Sequence, residues 1–170
     1  MAETIESQYL TFGIDGEIFG IPVSKVREVL EYMKPTKLPK TADFLKGLIN
    51  IRDVGIPVVD LRLKFGLPEK EATLDTAILV IEIEGADGQV LIGSIADEVY
   101  EVIEIEPEHL EPPPRFGIKI DSHFIKCVGK RDDQFIIILD MDRAFSDDEA
   151  HRLEGAATAA PADPAALAVP

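Results

Sequence analysis

One segment of the chain occurs twice, and that duplication limits the fold more than any other feature. Phe44 to Phe65 lies over Phe124 to Phe145 without a gap. Phe44-Leu45-Lys46 meets Phe124-Ile125-Lys126, Asp53 meets Asp133, and Asp60-Leu61 meets Asp140-Met141. Ile56, Val58 and Val59 meet Ile136, Ile138 and Leu139. Upstream, Gly16 to Val29 resembles Gly88 to Val102 with a one-residue insertion, so that Val26-Arg27-Glu28-Val29 lies over Val99-Tyr100-Glu101-Val102. Apolar coincidence between sheet-rich segments is common, but shared Phe, Lys and Asp positions in one register indicate a true internal repeat. Each half is about 65 residues, near the lower limit for a domain that folds alone. Two such halves are expected to pack together, to bury a further apolar layer between them, and to leave a groove at their junction.

The local pattern is that of short strands. Tyr9 to Ile14 alternates, with Leu10, Phe12 and Ile14 on one face. Asp15-Gly16 then leads into Glu17 to Ile21, and Asp87-Gly88 separates Ala77–Glu84 from Gln89–Ile95. A DG dipeptide between two apolar runs predicts a hairpin. Further hairpins are expected at Arg52-Asp53, between Leu48–Ile51 and Val54–Val59, and at Asp132-Asp133, between Ile125–Gly129 and Gln134–Leu139. The continuous apolar run Phe135 to Leu139 predicts a strand buried on both faces. Short helices are expected at Ala42–Lys46, Leu61–Phe65 and Met141–Leu153. The fold class is mostly β, as two tandem small barrels with short helices and a C-terminal helix. The boundaries are 8–66 for the first barrel, 74–140 for the second, 141–153 for the helix and 155–170 for a disordered Ala/Pro tail.

Charge narrows the function. The 170-residue chain carries 32 acidic against 17 basic side chains, a net −15. Such a surface repels phosphate backbones and anionic lipid, which disfavours an oligonucleotide-binding barrel or a membrane-surface protein. A lone cysteine, Cys127, fits a reducing compartment. The acidic opening Met1-Ala2-Glu3 lacks an apolar signal region, and no apolar run approaches the ~18 residues of a membrane span. A cytoplasmic protein is expected.

Catalytic and metal motifs are missing. There is no CxxC, no HExxH and no phosphate-cradling glycine loop. His109 lies in an acidic stretch and His151 lies near the tail. Asp121-Ser122-His123 could place a nucleophile beside a base, so the alternative is a small cytoplasmic hydrolase using Ser122, His123 or Cys127. Adjacent loop residues rarely adopt triad geometry, however, and Cys127 sits in a predicted strand opposite Gly47 of the repeat. No cofactor, metal or catalytic residue is assigned. Glu98, Glu101, Glu104, Glu106, Glu108 and Glu111 read as a solvated acidic face, or else as a docking surface for a basic partner.

Arg52 stands out at a hairpin tip of this acidic molecule. Its guanidinium can pair bidentately with a partner's carboxylate, or simply with Asp53 or Asp60 on its own surface. The repeat places Asp132 at the same position, so the two tips differ in charge. Val26, Val29 and Leu30, stepping with Arg27, Glu28 and Glu31, form either a helix end or a half-buried strand.

Several motifs together resemble the CheW-type chemotaxis coupling proteins. Asp15-Gly16-Glu17-Ile18-Phe19-Gly20-Ile21-Pro22-Val23 followed by Val26-Arg27-Glu28-Val29 is similar to that family's opening. Gly47-Leu48-Ile49-Asn50-Ile51-Arg52-Asp53 continuing to Pro57-Val58-Val59-Asp60-Leu61-Arg62 is similar to its G-x-x-N-L-R-G…P-x-x-D-L-R signature. Asp97-Glu98-Val99, Pro112-Pro113-Pro114, Phe124-Ile125-Lys126 and Ile138-Leu139-Asp140 complete a match from about Gln8 to Phe145. The resemblance implies two SH3-like five-stranded β-barrels around a shared hydrophobic interface, and a non-catalytic adaptor. Its implied partners are the cytoplasmic tip of a methyl-accepting chemoreceptor and the regulatory domain of the histidine kinase CheA, at membrane-associated receptor arrays. Carried over by position, receptor contact falls on Val26, Glu28, Asn50 and Arg52; no residues are assigned to the kinase. The family's Gly after the Arg is Asp53 here, so the backbone is expected at positive φ with a carboxylate added beside Arg52.

Overall fold

The computed structural model describes residues 7–39, 42–85, 88–113 and 124–145, together with residues 149, 152, 153 and 155. In chain order the strands are β1 (Gln8–Ile14), β2 (Glu17–Pro22), β3 (Val26–Glu31), β4 (Leu45–Ile51) and β5 (Val54–Asp60). They continue as β6 (Ala77–Gly85), β7 (Gly88–Ala96), β8 (Glu98–Glu104), β9 (Leu110–Glu111), β10 (Ile125–Arg131) and β11 (Gln134–Leu139). One α-helical turn, α1 (Leu61–Lys64), follows β5, its first turn capped by the Asp60 carboxylate accepting from the Arg62 amide at 2.9 Å.

The expected hairpins form. Asp15 and Gly16 have φ of 55° and 80°, the left-handed pair that a two-residue turn needs to match strand twist. The helix expected at Ala42–Lys46 does not form: 43 and 44 make a turn, and Leu45 is already paired with Val59. One helical turn cannot offset its nucleation cost against that ladder. Of the helix expected at Met141–Leu153, 141–145 form turns and bends, and residues 149, 152, 153 and 155 are helical. In the apolar run, Ile136 to Leu139 are buried on both faces as expected, whereas Phe135 is 60% exposed.

The repeat is repeated in space. Leu45 pairs with Val59 and Gly47 with Val58, with a bulge between; Ile125 pairs with Leu139 and Cys127 with Ile138, with the same bulge. The Asp60 amide donates to the Phe44 carbonyl at 2.7 Å, and the Asp140 amide to that of Phe124 at 3.0 Å. β5 runs parallel to β7 with Val58 opposite Gly93, and β11 runs parallel to β2 with Ile138 opposite Gly20.

Strand pairing nevertheless departs from the contiguous spans 8–66 and 74–140. One sheet has the order β3-β6-β7-β5-β4, and the other β8-β1-β2-β11-β10-β9. The β1–β2 hairpin of the first repeat is thus built into the sheet of the second. The β6–β7 hairpin of the second is built into the sheet of the first. One sheet draws on residues 26–96; the other takes 8–22 together with 98–139. The two sheets are also unequal, with five strands and six. β9 pairs with β10 through Glu111↔Val128 and Leu110↔Gly129, where among the described residues the first barrel has the single bridge Thr36↔Leu48.

Three apolar clusters result. Ile49, Ile56, Val58, Ile78 and Val80 fill the five-stranded barrel. Tyr9, Ile103, Ile105, Ile136 and Ile138 fill the other. The largest cluster draws on both sheets, including Phe12, Phe19 and Leu139 from one and Leu48, Val59 and Ile81 from the other. This is the shared layer that two undersized halves require: each strand sends alternate side chains to its own barrel and to the junction. Phe19, Phe65 and Phe124 form a continuous aromatic file across it, with centroids 5.9 and 5.5 Å apart.

The chain passes between sheets after β2 and again after β7, and each passage is tied by an ion pair. Arg62, 9% exposed, reaches Asp97 at 2.7 Å, Asp15 at 3.1 Å and the Pro68 carbonyl at 2.9 Å. The Asp97 carboxylate also accepts the Asp15 amide at 2.8 Å. In the repeat the place of Arg62 is taken by Asp142, which accepts from Lys25 at 3.0 Å and from the Glu84 amide at 2.8 Å. The clamp is conserved in position and reversed in charge. Removing the guanidinium strands two carboxylates, so Arg62→Leu is expected to cost about 3 kcal/mol in urea unfolding. Gly47 has φ of 142°, and a Cβ there would stand 2.1 Å from the Thr36 carbonyl oxygen. Gly47→Ala is therefore expected to cost roughly 2 kcal/mol or more and to open the Thr36–Leu48 bridge, seen as faster amide exchange at Leu48.

Candidate interaction site

The β3 strand and the β4–β5 tip supply the residues singled out from sequence. β3 alternates half-buried Val26, Glu28 and Leu30 with exposed Arg27, Val29 and Glu31, which settles that segment as a half-buried strand. β3 and β4 are the two outer strands of their sheet. Closing the barrel brings these edges together through the bridge between Thr36 and Leu48, whose amides and carbonyls exchange bonds of 2.8 Å.

A second contact spans the same closure. The Arg52 guanidinium donates to both Glu28 carboxylate oxygens, at 3.2 and 2.5 Å. Arg52 is 75% exposed and Glu28 25%. The hydrogen bond to Glu28, and then its charge, raise the guanidinium's pKa above its ordinary value. The sequence offered Asp53 or Asp60 as internal partners; among the described residues the carboxylate is that of Glu28 instead. Asp60 is buried and serves α1, and burial pushes its carboxyl up. Nothing in the spacing of residues 28 and 52 announces the pairing, which exists because barrel closure makes neighbours of two sheet edges. Val26 lies half-buried against the shared core, and exposed Asn50 lies on β4 opposite Gly55. The structure thus joins Glu28 and Arg52 directly, while Val26 and Asn50 flank them along β3 and β4.

The second barrel carries a looser counterpart. Glu101 on β8, the repeat equivalent of Glu28, lies 3.8 Å from Arg131, with both side chains well exposed. The tip residue itself is Asp132, as read from sequence, but its neighbour Arg131 supplies the cation. The tips differ in geometry more than in the presence of an ion pair.

The catalytic alternative gains nothing. Ser122 and His123 lie outside the described residues. Cys127 is half-buried on β10 against the second barrel's core, and burial pushes its thiol up, away from the reactive thiolate. Among the described residues no group of three His, Cys, Asp or Glu is placed to hold a metal ion, and no helix is long and apolar enough to cross a membrane. Glu98, Glu101, Glu104, Glu106, Glu108 and Glu111 are all exposed, as a solvated acidic face should be. The Glu106 carboxyl is raised by its hydrogen bond and like charge with Glu108.

Two interlocked SH3-like barrels, with an exposed ion pair over a closed edge, are an architecture suited to a scaffold protein. The CheW-like domain family matches residues 8–149. The chemotaxis protein CheW of Klebsiella aerogenes is 29% identical over 147 residues, 86% of each chain. That of Bacillus subtilis is 31% identical over 132 residues, 77% of this chain and 81% of its own. The crystal structure of the scaffolding protein TtCheW from Thermoanaerobacter tengcongensis superposes with a TM-score of 0.73 at 33% identity, covering 85% of this chain and 90% of the other. The chain belongs to the CheW-like family and is a non-catalytic chemotaxis adaptor.

At the tip, Arg52 has φ of 49° and Asp53 φ of 67°. The positive φ expected where the family has Gly is therefore present, held here by a side chain that raises its cost. Asp53→Gly is expected to raise stability by about 1 kcal/mol in urea unfolding, with the Arg52–Glu28 pair retained.

Proposed function

We propose that this adaptor couples the cytoplasmic tip of a methyl-accepting chemoreceptor to the regulatory domain of the histidine kinase CheA. We place receptor contact on Val26, Glu28, Asn50 and Arg52. The observation that carries the reading is the Arg52–Glu28 pair itself. It puts a largely exposed, bidentate guanidinium beside a half-buried apolar strand, on a protein whose other surface charge is mostly negative. An exposed ion pair contributes little to folding, so its partner can be exchanged at low cost. A helical hairpin bearing a carboxylate could take over one arm of the Arg52 fork while its apolar side packs toward Val26. Electrostatics would then fix register and apolar contact would supply affinity. The chain acts in the cytoplasm and is recruited to membrane-associated receptor arrays through these contacts.

Charge reversal tests the placement. Arg52→Glu is expected to weaken binding of a receptor cytoplasmic fragment by about tenfold or more, with the circular dichroism spectrum and urea midpoint near those of the parent. Unchanged affinity by calorimetric titration would remove Arg52, and the tip, from the receptor surface.

A further inference from the structure

Lysines gather in one hollow of the first barrel. A cavity of about 470 Å³ opens beside the segment that follows β3 and is lined by Tyr32, Lys34, Lys37, Lys46, Glu69, Lys70 and Glu71, among others. Four of the chain's ten lysines thus face one concavity on a molecule of net charge −15. Lys46 and Glu69 form an ion pair, which holds the Glu69 carboxyl below its usual range. Lys34, Lys37 and Lys70 are all exposed, with Glu71 the other carboxylate of the lining and the charge of Lys37 also felt by Glu69. Outside the cavity, Lys25 and Arg52 each pair one to one with a carboxylate, at Lys25–Asp142 and Arg52–Glu28. A cleft in which positive charge outweighs negative, here four lysines to two glutamates, concentrates anions, and its volume lies within the range of small-molecule sites.

We infer that this cavity is a binding site for a phosphate-chain anion, with Lys34, Lys37 and Lys70 as its charge donors and Tyr32 as its aromatic wall. Ammonium groups on flexible stems serve phosphate well as point charges, since they need no fixed fork geometry. An anion there relieves the mutual repulsion of the lysines. It binds only the folded chain, where the segments at 32–37 and 69–72 meet. The site shares no residue with the Glu28–Arg52 surface, so it stands or falls apart from the receptor assignment.

The full chain is titrated with pyrophosphate at low salt by calorimetry, and its melting temperature is followed in parallel. Saturable one-site binding is expected, with a rise in melting temperature. The exposed double substitution Lys34→Gln with Lys37→Gln is expected to weaken binding by about tenfold or more and to abolish that rise. Without anion it leaves stability unchanged or higher. The control pair Lys126→Gln with Lys130→Gln, on exposed β10 positions, leaves affinity as in the parent. A nucleoside diphosphate run alongside separates the sources: tighter binding than pyrophosphate assigns Tyr32 a base, and equal binding assigns the phosphate chain alone. Absent saturation, an affinity indifferent to Lys34 and Lys37, or an equal loss in the control pair overturns the site.

Discussion

Each time the chain leaves one sheet for the other it is held by an ion pair, and the rest of the architecture depends on those two ties. Arg62 gathers Asp15 from the tip of the β1–β2 hairpin and Asp97 from the passage between β7 and β8. Asp142 gathers Lys25 from the passage between β2 and β3, and the backbone of Glu84 from the end of β6. Exchanged hairpins could otherwise swing out, because a two-stranded hairpin is marginal by itself. The Arg62–Asp97 arm is shielded from water, whereas Asp15 and the Lys25–Asp142 pair are each about 30% exposed, so the ties do not contribute equally. The reversal of charge between them shows that geometry, more than any given residue, is what the fold conserves.

Interlocking answers a problem of size. Neither repeat can bury enough apolar surface alone. Lending each hairpin to the other sheet gives every central strand two apolar faces, one inside its barrel and one at the junction. Phe44 and Phe145, 5.8 Å apart, and the Lys64 ammonium 4.7 Å above the Phe44 ring, close the margin of that junction. Lys64 is bonded in turn to Glu149 at 2.6 Å, and Leu153 is buried in the shared core. Glu149 and Leu153 are thereby fastened at the junction of the two halves.

Much of this was legible without coordinates. Hairpin turns, strand phases and the duplication follow from short-range pattern: alternation, DG dipeptides and matching Phe, Lys and Asp positions. The helix expected at Ala42–Lys46 lost to a long-range ladder that propensity does not record, and the one expected from Met141 begins in turns and bends over 141–145. Arg52 was conspicuous because a cation at a turn in an acidic chain has few internal reasons to be there. Its partner was missed because Glu28 is remote in sequence, whereas Asp53 and Asp60 are close. Arg131 was likewise overlooked as the counterpart cation, since strict repeat alignment points one residue further on.

By itself the sequence determined that there are two similar β units, where their turns fall, which residues must leave water, and that a lone guanidinium stands at one tip. Those properties are encoded in neighbours a few residues apart. Tertiary structure alone decided which hairpin joins which sheet, that Glu28 meets Arg52, and that lysines from separate segments share one cavity. An exchanged and an unexchanged pair of repeats carry the same local pattern and the same turns. They differ only in contacts between residues distant along the chain, and those contacts are chosen when two incomplete cores close on each other.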